Sequence, residues 1–141
     1  MIHEFEFPWP KPPLSLNYRM HHMQAAKLTK EIRGLMHARA RKLPQMERCR
    51  VELVWYVNTK TRRDDENPVP TLKALCDGLV DAEVVPDDTA EFMVKLMPRI
   101  EYRPKSEGLA CMVLRVLEIP PAYRPESVQR VADRINQKEN P

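Results

Sequence analysis

Apolar positions along this chain recur with two different periods, and the switches between them predict its elements. From Met1 to Phe7 the pattern alternates, with Ile2, Glu4 and Glu6 on one face and His3, Phe5 and Phe7 on the other. Period two predicts a strand. The run Pro8-Trp9-Pro10-Lys11-Pro12-Pro13 stops it, because proline cannot donate to a sheet ladder. A loop, Leu14 to Met20, follows. Between His22 and Leu43 there is no proline, and Ala25, Leu28, Ile32, Leu35, Met36, Ala40 and Leu43 return at steps of three and four, which predicts an amphipathic helix. Its other flank carries Lys30, Arg33, His37 and Arg41 at similar spacing, a basic stripe that is either a solvated face or a contact for an anion.

Residues 48–58 alternate loosely and are rich in valine with Trp55 and Tyr56, so they read as a second strand. Thr71 to Val80 returns to helical register through Leu72, Leu75, Cys76, Leu79 and Val80, with Pro70 suited to a first turn whose amides lack partners anyway. Residues 90–101 and 109–118 read as two more strands, joined by a turn-like segment rich in charge, and are expected to form a hairpin with a long loop. Beyond Pro120, Pro121 and Pro125 the chain turns polar, and Glu126 to Gln137 has the spacing of a short helix. The expectation is an α/β (α+β) fold, a small mixed sheet of about four strands covered by helices. Residues 1–119 would form one domain and residues 120–141 a tail, docked or used for association.

Composition narrows the class. Hydrophobic residues make up 43% of the 141 positions and charged residues 30%, as expected of a globular chain with one core. The formal net charge of +3 permits nucleic acid as a partner without requiring it. No stretch is long and apolar enough for a membrane span, and the first ten residues lack the order of a signal peptide, so the cytoplasm is the expected compartment. Cys49, Cys76 and Cys111 are widely spaced and have no CxxC partner, which reads as three small apolar residues rather than zinc ligands or a disulfide framework.

The candidate chemistry lies between residues 62 and 88. Asp64, Asp65 and Glu66 follow Arg62 and Arg63, and Asp87 and Asp88 close the segment after the second helix. In an extended segment, side chains 64 and 66 share a face. Hard divalent cations such as Mg²⁺ take oxygen ligands of this kind, with water and phosphate completing the shell. Lys73 and Asp77 stand four apart on the helix between the two acidic clusters, in the less favoured order for a surface pair, so stability alone accounts for them poorly. A lysine there lowers repulsion among carboxylates and can contact a phosphate oxygen. Gly78 costs about 1 kcal/mol in a helix interior relative to alanine, which is understandable if another backbone or a ligand approaches it. Without such partners, an acid-rich loop is a solvated turn.

The order Arg63-Asp64-x-Glu66-Asn67, then Lys73-x-x-x-Asp77-x-Leu79, then Asp87-Asp88, resembles the RusA family of Holliday junction resolvases. Pro8-Trp9-Pro10, Pro12-Pro13 and Ser15-Leu16-Asn17 ahead of a basic helix are similar to that family's opening, and the resemblance runs from about residue 2 to 118. It implies a homodimeric, Mg²⁺-dependent endodeoxyribonuclease of phage or prophage type, with Mn²⁺ able to substitute, that resolves four-way junctions and other branched DNA. It further implies that Asp64, Glu66 and Asp88 bind metal and that Lys73 assists catalysis. Asn67, Asp77 and Asp87 would support the site, while Arg62, Arg63, Asn17, Lys30, Arg33 and Arg41 would contact DNA. Asp65 is an alternative ligand, although it faces the other side of an extended segment. The chain departs from the family pattern in carrying Glu66 instead of aspartate and three additional residues between Asn67 and Lys73. It also has Glu83 where a small residue is common. Those departures leave a second expectation open: a junction-binding or regulatory protein with weak or no cleavage. A nucleotide phosphohydrolase is a third, disfavoured by the lack of a glycine-rich phosphate loop.

Overall fold

The structure, a computed structural model, describes residues 1–122, so the helix expected over 126–137 lies outside the described residues. Its elements are β1 (Ile2–Phe7), α1 (His22–Ala40), β2 (Cys49–Val57), α2 (Val69–Asp81), β3 (Met93–Lys95), β4 (Arg99–Tyr102) and β5 (Cys111–Glu118). They form a mixed sheet covered on one face by the two helices. β5 lies between β1 and β2 and is antiparallel to both. Along the other side of β2, β3 and β4 pair parallel to it one after the other, β3 against Cys49–Val51 and β4 against Val54–Val57. The sheet is therefore four strands wide, with its outer edge broken in two.

Register shows which face carries the core. Phe5, Leu114 and Leu53 stand in one cross-strand row, and Phe7, Met112 and Trp55 in another. All six belong to the buried cluster that also takes Ile32, Met36 and Ala40 from α1 and Leu72, Leu75, Cys76 and Leu79 from α2. The alternate row Glu4, Arg115, Glu52 faces away, and there Arg115 pairs with Glu4 at 3.1 Å and Arg99 with Glu52 at 3.0 Å. The three cysteines are buried and free, in keeping with their reading as apolar residues.

The expected hairpin of 90–101 with 109–118 is corrected: β2 separates β4 from β5. β2 is buried along its core face at Cys49, Val51, Leu53, Trp55 and Val57 and also at Val54 on the other face, and it holds the central place that the later strands flank. Nor is 90–101 one strand. Leu96 still donates its amide to Val51 at 3.0 Å, but Pro98 has no amide to give, and pairing resumes only at Arg99.

Two contacts set α2 in place. A Cβ built on Gly78 would lie 2.6 Å from the Arg33 carbonyl oxygen and 2.6 Å from Met36 Cβ, so α1 and α2 meet backbone to backbone at this glycine. Thr71, fully buried, donates its hydroxyl to the Leu14 carbonyl at 2.7 Å and accepts the Leu14 amide at 3.1 Å, which fastens the proline-rich loop to the helix. Trp55 holds the same loop from the sheet side, donating Nε1 to the Pro10 carbonyl at 3.0 Å.

α2 ends in a six-to-one turn. Val84 donates to Leu79 and Glu83 to Val80, with Glu83 at φ 61°, a left-handed position that favours glycine. This explains physically why a small residue suits position 83. Glu83→Gly is expected to stabilise the fold by roughly 1 kcal/mol, read as a raised midpoint in urea with an unchanged slope. Gly78→Ala is expected to destabilise it by about 1–3 kcal/mol despite the better helix propensity of alanine, because α1 must be pushed away; a melt at or above the parental temperature would contradict the close helix contact.

Candidate functional site

The acidic segment forms a turn that runs directly into α2. The Asn67 amide donates to the Asp64 carbonyl at 3.1 Å and the Val69 amide to the Glu66 carbonyl at 3.0 Å, so residues 64–67 coil instead of extending. Asp64, Asp65 and Glu66 are all exposed on this turn. The expectation that 64 and 66 share a face of an extended segment does not carry over to a turn. Asn67 supports the turn through its backbone as well, its carbonyl accepting the Leu16 amide at 3.2 Å.

On α2 the apolar residues face the core and Lys73 faces outward, half a turn from buried Leu75. Its ammonium reaches Asp88 Oδ2 at 3.9 Å, on the segment after the helix. A second ammonium, that of Lys95 on β3, donates to the same oxygen at 3.0 Å. Asp87 Oδ1 accepts the Asp88 amide at 2.7 Å and so braces the turn. The Lys95 hydrogen bond, joined by the charges of Lys95 and Lys73, holds the Asp88 carboxyl below the usual carboxylate range. Lys95 was not legible in the sequence as a site residue, since it sits in a three-residue strand with no motif around it.

Lys73 stands between two hollows. One, of about 400 Å³, is walled by Leu14, Tyr18, Thr29 and Pro70, with Lys73 and Asp77 beside them. The other, of about 260 Å³, lies between the start of α2 and the link from β3 to β4, with Lys73 and Lys95 in its wall.

The basic residues divide. Arg33 forks onto Asp81 of α2, its Nη2 at 2.8 Å from Oδ1 and its Nε on Oδ2, so it ties the two helices. Arg63 donates to the Thr59 and Thr61 carbonyls at 3.0 and 2.9 Å and lies 5.4 Å from the Trp55 ring centre, which braces the approach to the acidic turn. Arg62, Lys30 and Arg41 are exposed, and Asn17, also exposed, accepts the Ser15 hydroxyl.

A divalent cation implied by the family resemblance can be tested against these positions. Asp64, Glu66 and Asp88 offer carboxylate oxygen only, which fits a hard cation in kind. They do not fit in placement: among the described residues no three His, Cys, Asp or Glu side chains gather into a group able to hold a metal ion. Asp88 spends its charge on two lysines instead.

The pairing of Asp88 makes a pH prediction. A carboxyl whose folded value is depressed contributes stability that is complete above its unfolded value, near 3.9, and is lost as pH falls through the folded one. Carbon-detected titration is expected to show Asp88 ionising below the ordinary aspartate value, and Lys95→Met to move it back up; an Asp88 curve indifferent to residue 95 would contradict the ion pair.

No known protein family profile matches the chain. The chain is similar to an uncharacterized protein of Xylella fastidiosa (strain Temecula1 / ATCC 700964), 32% identical over 87 residues that cover 57% of each. It thus spans little more than half the length of that relative.

Proposed function

We propose that the chain is a structure-selective endodeoxyribonuclease that cuts four-way junctions and other branched DNA by phosphodiester hydrolysis. The observation that carries this reading is the meeting of Asp88 and Lys95 with Lys73, which α2 carries and to which the acidic turn of Asp64 and Glu66 leads. Such a combination suits a phosphodiester. Lysines hold its oxygens and offset the charge that develops on the phosphorus, while carboxylates orient water or a cation. Asp64, Glu66 and Asp88 are the residues that would take Mg²⁺ or Mn²⁺, and such an ion, when bound, supplies water activation and charge neutralisation. For that, Asp88 must exchange its lysine partners and the turn at 64–67 must bring its side chains toward it.

Arg62 and the exposed Lys30 and Arg41 supply cationic surface for the phosphate backbone. Arg33 and Arg63 act behind them, one setting α1 against α2 and the other the approach to the turn. A homodimer with two-fold symmetry would match the symmetry of a four-way junction and place one site on each of two strands. No helix among the described residues is long and apolar enough to cross a membrane.

A second reading, junction binding with weak or no cleavage, is favoured by one observation: the carboxylates are not gathered, and Lys95 already occupies Asp88. One assay separates the two. Labelled four-way, forked and linear DNA is incubated with the purified chain, with and without Mg²⁺ or Mn²⁺, and nicks are mapped. The nuclease reading predicts metal-dependent cuts confined to branched DNA, and their loss in Asp88→Asn with junction binding kept or tightened. An Asp88→Asn chain that cuts at the parental rate rejects the site. Tight binding without cuts in either metal establishes the second reading.

A further inference from the structure

We infer that the hollow between the start of α2 and the β3–β4 link is a seat for one backbone phosphate, clamped by Lys73 and Lys95, with Asp88 as its place-holder when no DNA is bound. The inference rests on the nucleic-acid reading above and extends it by adding a site and a residue, Lys95, that the sequence motif does not contain.

The geometry comes first. Lys95 Nζ is 3.0 Å and Lys73 Nζ 3.9 Å from the same Asp88 oxygen, so the two ammonium nitrogens lie within about 6.9 Å of each other, the sum of those lengths. Two cations at this separation repel, and one carboxylate offsets only one of them. Asp77 and Asp87 lie close by as well, so the feature that suits a phosphodiester is not an excess of charge but the convergence of two ammonium donors on one oxygen position beside the hollow. Both lysine stems are in the hollow's wall with Val69, Leu72, Leu96, Met97 and Pro98. Such a wall carries the lysine stems while their ammonium heads stay within reach of solvent and of an anion.

The elements that bring the lysines together are independent of each other in sequence. Lys73 comes from α2, fixed by Gly78 and Thr71, and Lys95 from the end of β3, fixed by its parallel pairing of Val51 with Lys95. The first turn of α2 has no acidic residue and no side-chain cap of its own, and its nearest carboxylates are those of the exposed turn at 64–66 before it. Lys73 remains largely exposed, with 68% of its side chain accessible, and Lys95 keeps 34%, so an incoming phosphate can reach both. The Asp88 partnership keeps the two side chains aimed at one point in the free protein, which lowers the ordering cost of binding. When a phosphate arrives, the lysines turn from Asp88 to its oxygens and the carboxylate is released toward solvent.

The decisive comparison is made in an Asp88→Asn background, where residue 95 no longer has a carboxylate to neutralise. Affinity for a four-way junction is measured there without divalent metal over a series of salt concentrations, with residue 95 as Lys, Met, Gln or Arg. Lys95→Met and Lys95→Gln are expected to weaken binding and to lower the log-log salt slope by about one unit, the change that follows when one phosphate is no longer neutralised, while Lys95→Arg keeps the slope. Thermal melts confirm that the variants fold, and the Gln variant serves if the Met variant does not. A slope unchanged by Met or Gln shows that Lys95 is only the counter-ion of Asp88 and overturns the clamp while leaving the nucleic-acid reading in place. A chain that binds no branched DNA at all overturns both.

Discussion

The contact on which the rest of the structure depends is the meeting of α1 and α2 at Gly78. Here the helices approach until a single added carbon would lie 2.6 Å from a backbone oxygen of α1. That closeness seats Leu72, Leu75, Cys76 and Leu79 on the sheet and, through the 3.6-residue period, forces Lys73 outward on the opposite side. The Arg33 fork to Asp81 and the Thr71 bonds to Leu14 hold the helix against rotation at its two ends. A lysine delivered by a rigid helix can meet a carboxylate delivered by a different segment; one on a mobile loop would spend more entropy in doing so.

Electrostatics at the site follow from this placement. Carboxylates crowd the entry to α2 and the turn after it, and a protein without a bound cation must deal with their mutual repulsion. The chain does so unequally: Asp64, Asp65 and Glu66 stay in water, whereas Asp88, only a quarter exposed, is given two lysines. Partial burial raises the cost of an unpaired charge, and the paired arrangement removes that cost. The same pairing makes Asp88 less available to a cation, so binding of metal and of nucleic acid phosphate would be linked through two ammonium groups.

How far the sequence could be read depends on which physical signal each feature leaves. Both helices and the first two strands follow from apolar spacing, since burial of one face imposes the period directly; α1 and α2 end within a few residues of their expected bounds. Pairing leaves no such mark. Residues 90–101 and 109–118 look like neighbours in sequence, but β2, buried along its core face and at Val54 on the other, lies between them. Gly78 pointed to a close approach, and the partner proves to be the α1 backbone. Asp88 and Lys73 were legible as members of one constellation because the motif order puts Lys73 on the helix and Asp88 shortly after it. Lys95 was not, because its meeting with Asp88 arises from β3 docking parallel to β2. Thr71 left a weak signal, a hydroxyl on an otherwise apolar helix face, whose meaning appears only with the loop at Leu14 beside it.

The central claim is that nucleic acid meets the face built from the acidic turn, the start of α2 and β3, and not the charged outer face of the sheet. The most direct measurement follows backbone amide resonances of the labelled chain as a four-way junction is added. The account predicts shifts concentrated at residues 62–73 and 87–96. Shifts confined to the outer row of Glu4, Arg115, Glu52 and Arg99, with 62–73 unmoved, would contradict it.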